Sequence, residues 1–167
     1  SLASQTVTVT ITDDETAGFT IIESGGSTSV SEAGTTDTFT VVLDAQPNSD
    51  VVLSVVSADT GEVTVSPSSL TFTNANWNTA QTVTVTGVDD NIIDGSQTVT
   101  ITISVVDGSS DNNFDSVDDQ TVSVTITDND TAGFTLRKTT ATVSEAGSTD
   151  TFTVKLDAQP NSDVVLS

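Results

Sequence analysis

From Val7 the chain alternates apolar and hydroxyl-bearing residues. Val7-Thr8-Val9-Thr10-Ile11-Thr12 sets aliphatic side chains on one face and threonines on the other. A period of two belongs to a strand with one buried face. The alternation returns at Phe39, Val41 and Leu43, at Val51, Leu53 and Val55, and at Leu70 and Phe72. It continues at Val83 and Val85, at Val99, Ile101, Ile103 and Val105, and at Val122, Val124 and Ile126. No stretch carries a helical period, and turn-rich segments part the runs at the spacing of an all-β sandwich. Seven strands are predicted: 18–31 (broken near Gly25-Gly26), 36–44, 50–57, 69–73, 81–87, 97–105 and 120–127. The expected fold is all-β, a seven-stranded antiparallel immunoglobulin-like β-sandwich.

The pattern also repeats on a longer scale. QTVTVTITDDETAGFT at 5–20 returns as QTVSVTITDNDTAGFT at 120–135, an offset of 115 residues. SEAGTTDTFTVVLDAQPNSDVVLS at 31–54 returns at 144–167 with an offset of 113, the slip falling at Gly25-Gly26. Such a period is domain-sized, well above the roughly 20–50 residues of solenoid repeats. The chain therefore reads as a window on a tandem array. Residues 1–13 are the final strand of a preceding repeat, 14–130 one complete repeat, and 131–167 the first strands of a following one.

Charge changes this picture most. There are 24 Asp and Glu against 3 Lys and Arg, with no His and no Cys. All the basic residues (Arg137, Lys138, Lys155) follow residue 130, so 14–130 has no cation to neutralise its carboxylates. Without His or Cys the usual general base, zinc ligand and disulfide staple are missing. Nucleic acid and anionic membrane surfaces require positive patches and are excluded as partners. No long apolar run is present, so no membrane insertion is expected in this segment.

Topology says where the acids gather. Successive strands of such a sandwich run up and down, so alternate connections share one end. Glu32 follows the first strand, Asp59 the third, and Asp89, Asp90 and Asp94 the fifth, while Asp128-Asn129-Asp130 follows the last. These groups converge on one pole and repel strongly at close range. A hard cation relieves that, and Ca²⁺ suits oxygen ligands on flexible loops better than Mg²⁺ does.

VSEAG (30–34), GVDDNIIDG (87–95) and ITDNDTAG (126–133), taken together, resemble the calx-beta repeats. That family occurs in the calcium-sensing loop of sodium–calcium exchangers, in one integrin β subunit and in very long bacterial surface proteins. The stretch 63–95 looks most like the bacterial version. The resemblance implies ions at the distal pole, with ligand roles on Glu32, Asp59, Asp89, Asp90, Asp94, Asp128 and Asp130. Asn129 departs from a fully acidic run, whereas Asp13, Asp14 and Glu15 give the preceding repeat a more acidic version of that site. About one to three ions per junction are expected, at affinities of roughly 10⁻⁵ to 10⁻³ M.

At the opposite pole the sixth–seventh connection carries Asp107, Asp111, Asp115, Asp118 and Asp119, near Asp13-Asp14-Glu15. Consecutive repeats then meet acid against acid, repelling over about 8 Å at physiological salt; alternatively this loop is only a solvated surface. Asp111, Asn113 and Asp115 imitate an EF-hand start, but Ser116 and Val122 stand where Gly and Glu are needed. Asp59-Thr60-Gly61 matches half of an aspartic protease site, which needs two such aspartates. The abundant hydroxyls lack an activating base, and no enzyme activity is expected. The Thr runs follow no short period that would align an ice-binding face. Trp77 is expected to cap the core, and Asn129-Asp130-Thr131 is a glycosylation sequon only in a suitable host.

The expected function is a calcium-binding extender or stalk repeat of a large secreted or cell-surface protein, an adhesin of bacterial type, with Ca²⁺ rigidifying the array. The alternative is a regulatory calcium sensor like the exchanger loop. Neighbouring repeats of the same chain are the expected partners, and strand exchange between molecules is expected at 1–12 and 131–167.

Overall fold

The computed structural model describes residues 2–167, leaving Ser1, of the expected final strand of a preceding repeat, outside the described residues. The sandwich is built from β1 (Phe19–Glu23), β2 (Thr28–Ser31), β3 (Thr36–Leu43), β4 (Val51–Ser57), β5 (Val63–Ser66), β6 (Ser69–Phe72), β7 (Gln81–Gly87), β8 (Gln97–Val105) and β9 (Gln120–Thr127). One sheet has the order β1-β3-β7-β5 and the other β2-β9-β8-β4-β6.

The count differs from seven because two edge strands each break and pass from one sheet to the other. Gly25 and Gly26, at φ of 65° and 85°, take left-handed conformations that open to glycine without strain. They carry the chain from β1, antiparallel to β3, to β2, parallel to β9. The second break lies at Pro67, which has no N–H to donate to a ladder. Before it β5 pairs with β7, and after it β6 pairs with β4. Val63 and Val65 alternate as a strand should, but the adjoining Ser-Pro reads as a turn, and the sequence pattern alone left β5 inside a loop.

Alternate residues of the two sheets meet in a single core. Phe39, Phe72, Leu53, Ile101, Ile103 and Ile126 are fully buried, and Trp77 packs against its edge. Each large apolar side chain so buried contributes about 1.5–3 kcal/mol, and in a chain without Cys this burial holds the fold.

Of the strand expected at 1–13, the described residues 2–13 form none. Ile11 is 90% exposed, whereas its counterpart Ile126 is fully buried between β2 and β8. The same pattern finds neither neighbour around residues 5–12, and an alternating sequence without a ladder has no reason to be extended. Of the first strands of a following repeat expected at 131–167, β10 (Phe134–Leu136) and β11 (Val154–Leu156) form. Their pairing is faithful: Phe134 faces Leu156 as Phe19 faces Leu43. Thr135 bonds Asp157 as Thr20 bonds Asp44, at 2.8 and 2.7 Å.

Candidate metal centre

Four backbone N–H groups stitch the connections at one end of the sandwich, three to carbonyls and one to a carboxylate. Glu32 N–H donates to Thr127 O (3.2 Å), extending the β2–β9 ladder by one residue. Gly87 N–H donates to Thr35 O (3.1 Å) and Val88 N–H to Glu62 O (2.8 Å). Gly95 N–H donates to Asp128 Oδ2 at 2.9 Å. Beside the first of these the backbone of Gly87 comes so close that an added Cβ would lie 2.2 Å from the carbonyl oxygen of Ser31.

Glu32 is only 1% exposed. Its Oε2 accepts the Asn129 N–H at 3.3 Å, and its Oε1 is buried without a partner. Asp128 Oδ1 accepts the Asp130 N–H at 2.7 Å, while Asp130 Oδ2 is likewise buried and unpartnered. One oxygen each from Glu32, Asp128 and Asp130 lies within 4.8 Å of the others. Buried carboxylate oxygens are ordinarily hydrogen-bonded or coordinated to a cation. Two orphaned oxygens on residues of one all-oxygen cluster fit a hard divalent ion.

The titration behaviour follows from this crowding. Burial pushes the Glu32 carboxyl above its usual range, and Asp128, Asp90 and Asp94 push the same way against the Asn129 hydrogen bond. Asp130 is raised by burial and by Asp128, Asp89 and Asp90. Asp128 is held low by the N–H groups of Asp130 and Gly95.

The remaining expected ligands lie around this core. Asp90 and Asp94 are near enough to bear on both Glu32 and Glu62. Asp89 Oδ1 accepts from the Asn129 side-chain amide at 2.9 Å, so Asn129 braces the loop as a donor. Asp59 caps its own turn through Gly61 N–H at 2.8 Å and lines a cleft of about 340 Å³ with Glu62 and Asp94. Glu62 was not singled out from the sequence. Burial, then Asp94, Asp90 and Asp59, raise its carboxyl. Recognising Val63 and Val65 as a strand would have placed it at this end.

Asp13, Asp14 and Glu15 do not join the cluster. Asp13 and Glu15 line a groove at the opposite end with Ala45 and Asn113, and all three belong to the exposed stretch before β1. At that end Asp111 is a structural pin, so the alternative of an only solvated loop does not extend to it. It is 6% exposed and accepts from Asn48 (2.6 Å), Ser49 (3.0 Å) and Asn113 (3.0 Å).

No family model matches the chain, and no curated protein matches it. Among solved structures, the apo-form Calx CBD1 domain is 13% identical, with 70% of this chain and 100% of that chain covered, at a TM-score of 0.46. CBD12 from CALX1.2 is 16% identical over 75% of this chain and 51% of its own, at 0.47. The Escherichia coli (E. coli) chaperone DraB is 8% identical over 70% and 59%, also at 0.47. The chemistry of the acidic tip therefore stands on its own geometry.

Proposed function

We propose that this chain is a calcium-binding structural repeat, an extender of a large secreted or cell-surface protein of adhesin type. Ca²⁺ at the acidic tip stiffens the joint to the next repeat. The observation that carries this reading is the pair of orphaned buried oxygens, Glu32 Oε1 and Asp130 Oδ2. Glu32, Asp128 and Asp130 hold the principal ion, with Asp89 and Asp90 beside them. Asp59, Glu62 and Asp94 offer a second position. Bound calcium supplies the positive charge that residues 14–130 lack.

The near-identity of the repeated segments supports a spacer, whose task needs only length and repetition. Calorimetric titration after chelation is expected to show saturable binding at roughly 10⁻⁵ to 10⁻³ M. No heat up to about 10 mM calcium, above the weakest extracellular modules, would remove the reading. Small-angle scattering on two or three repeats then separates stiffening of a rod from a compact sensor-like change.

A further inference from the structure

Between the carboxylates of the β7–β8 connection stand Ile92 and Ile93, adjacent isoleucines that lie outside the core. Two apolar side chains on a charged tip need a surface to cover them. The start of the second copy supplies part of it, leaving Ile92 half-buried and Ile93 38% exposed. Gln159 N–H donates to Asn91 O at 2.6 Å, and Ile92 and Gln159 form a parallel β-bridge. Ile93 lines a cleft of about 270 Å³ with Ala132, Ala158 and Pro160.

Ala132, Ala158 and Gln159 are the counterparts of Ala17, Ala45 and Gln46. In the complete sandwich these three line a groove of about 440 Å³ together with Asn48, Asn113 and Phe114. The acidic run leading into it, Asp13-Asp14-Glu15, is the counterpart of Asp128-Asn129-Asp130. An arriving loop would therefore lie beside that run as Asp89 and Asp90 lie beside Asp128 and Asp130.

We propose that Asn91-Ile92-Ile93 is the plug by which each repeat seats on the next, and that the groove at Ala17, Ala45 and Gln46 receives the same loop of a preceding repeat. The proposal rests on the array reading above but not on bound metal. It assigns the joint an apolar, sequence-matched contact in addition to its carboxylates.

The chain has no Cys, so disulfide trapping is unambiguous. In a chain where residues 1–128 run directly into 14–167, Ile92→Cys in the first copy is paired with Gln46→Cys in the second. The shorter natural pair is Ile92→Cys with Gln159→Cys. Both are expected to oxidise to an intramolecular bond, read as a reductant-sensitive mobility shift, in calcium or in chelator. Thr64→Cys with Gln46→Cys is expected to stay reduced. Failure of the matched pairs in both buffers, with melting midpoints unchanged, would overturn the proposal. As a second readout, Ile93→Asp is expected to speed tryptic cleavage at Arg137 and Lys138 several-fold, and an unchanged rate would also overturn it. Calcium titration of the same variants reads the metal site separately.

Discussion

The backbone N–H of Asn129 donates to Oε2 of Glu32 at 3.3 Å, joining residues 97 positions apart at the tip of the sandwich. One oxygen of Glu32 is thereby satisfied, the other is buried without a partner, and the carboxylate lies within 4.8 Å of oxygens of Asp128 and Asp130.

Replacing that carboxylate with its neutral isostere separates charge from shape. Glu32→Gln is expected to lower calcium affinity by about tenfold or more, since loss of supporting groups around a metal alone costs about 10–100-fold. In chelator the variant is expected to melt at or above the parent temperature, because a repelled buried charge has been removed. Calorimetry with paired thermal melts checks both.

Metal-free stability is expected to fall as pH rises. Glu32, Glu62 and Asp130 hold their protons more tightly when folded than at their ordinary values of 4.5, 4.5 and 3.8. The folded state thus binds more protons above those values, and ionising the groups works against it. The lowered carboxyls oppose this on the acid side: Asp111 and Asp128 contribute stability that is lost as pH falls below about 3.8. Denaturant midpoints in chelator from acid to neutral pH should therefore pass through a maximum. Calcium should abolish the decline on its neutral side.

Gly87→Ala is expected to destabilise by about 1–3 kcal/mol or more, as overpacking does. The new methyl meets the Ser31 carbonyl oxygen, which is backbone and cannot swing aside. Urea unfolding reads the loss, and calcium affinity should fall with it because the shift displaces the residue next to Glu32.

Asp111→Ala leaves the N–H groups of Asn48, Ser49 and Asn113 without their acceptor. A hydrogen bond to a charged group contributes about 1.5–3 kcal/mol, and water can replace part of that loss because the three donor residues are exposed. Hydrogen exchange at those amides should accelerate, while calcium binding at the other end stays unchanged.

Strand exchange at the ends is expected as concentration-dependent association. Val7, Val9 and Ile11 are exposed, although the matching sequence pairs on both sides within the sandwich. Sedimentation velocity across a concentration series checks it, and a single monomeric species throughout counts against it.

Much of this was legible in the sequence. Alternation located β3, β4 and β7 through β9 because a one-faced strand writes its burial into every second residue. Up-and-down topology then carried the acids of three connections to one end. Sheet switching was not legible at Pro67, where a proline that interrupts one ladder and frees the chain to join another looks like an ordinary turn. Glu62 was lost with it. The pinning role of Asp111 was not legible either, since nothing along the chain marks the three N–H groups that hold it.

The parallel pairing of β2 with β9 has a mechanical consequence. The chain enters the sandwich at one end through β1 and leaves it at the other after β9. A pull on the two ends would therefore slide Thr28–Ser31 against Val124–Thr127, loading their hydrogen bonds together in shear instead of peeling them one by one. The Glu32–Thr127 bond lies at the end of that ladder. An ion gripped by Glu32, Asp128 and Asp130 would rivet the two sliding strands at the spot where the tension comes out.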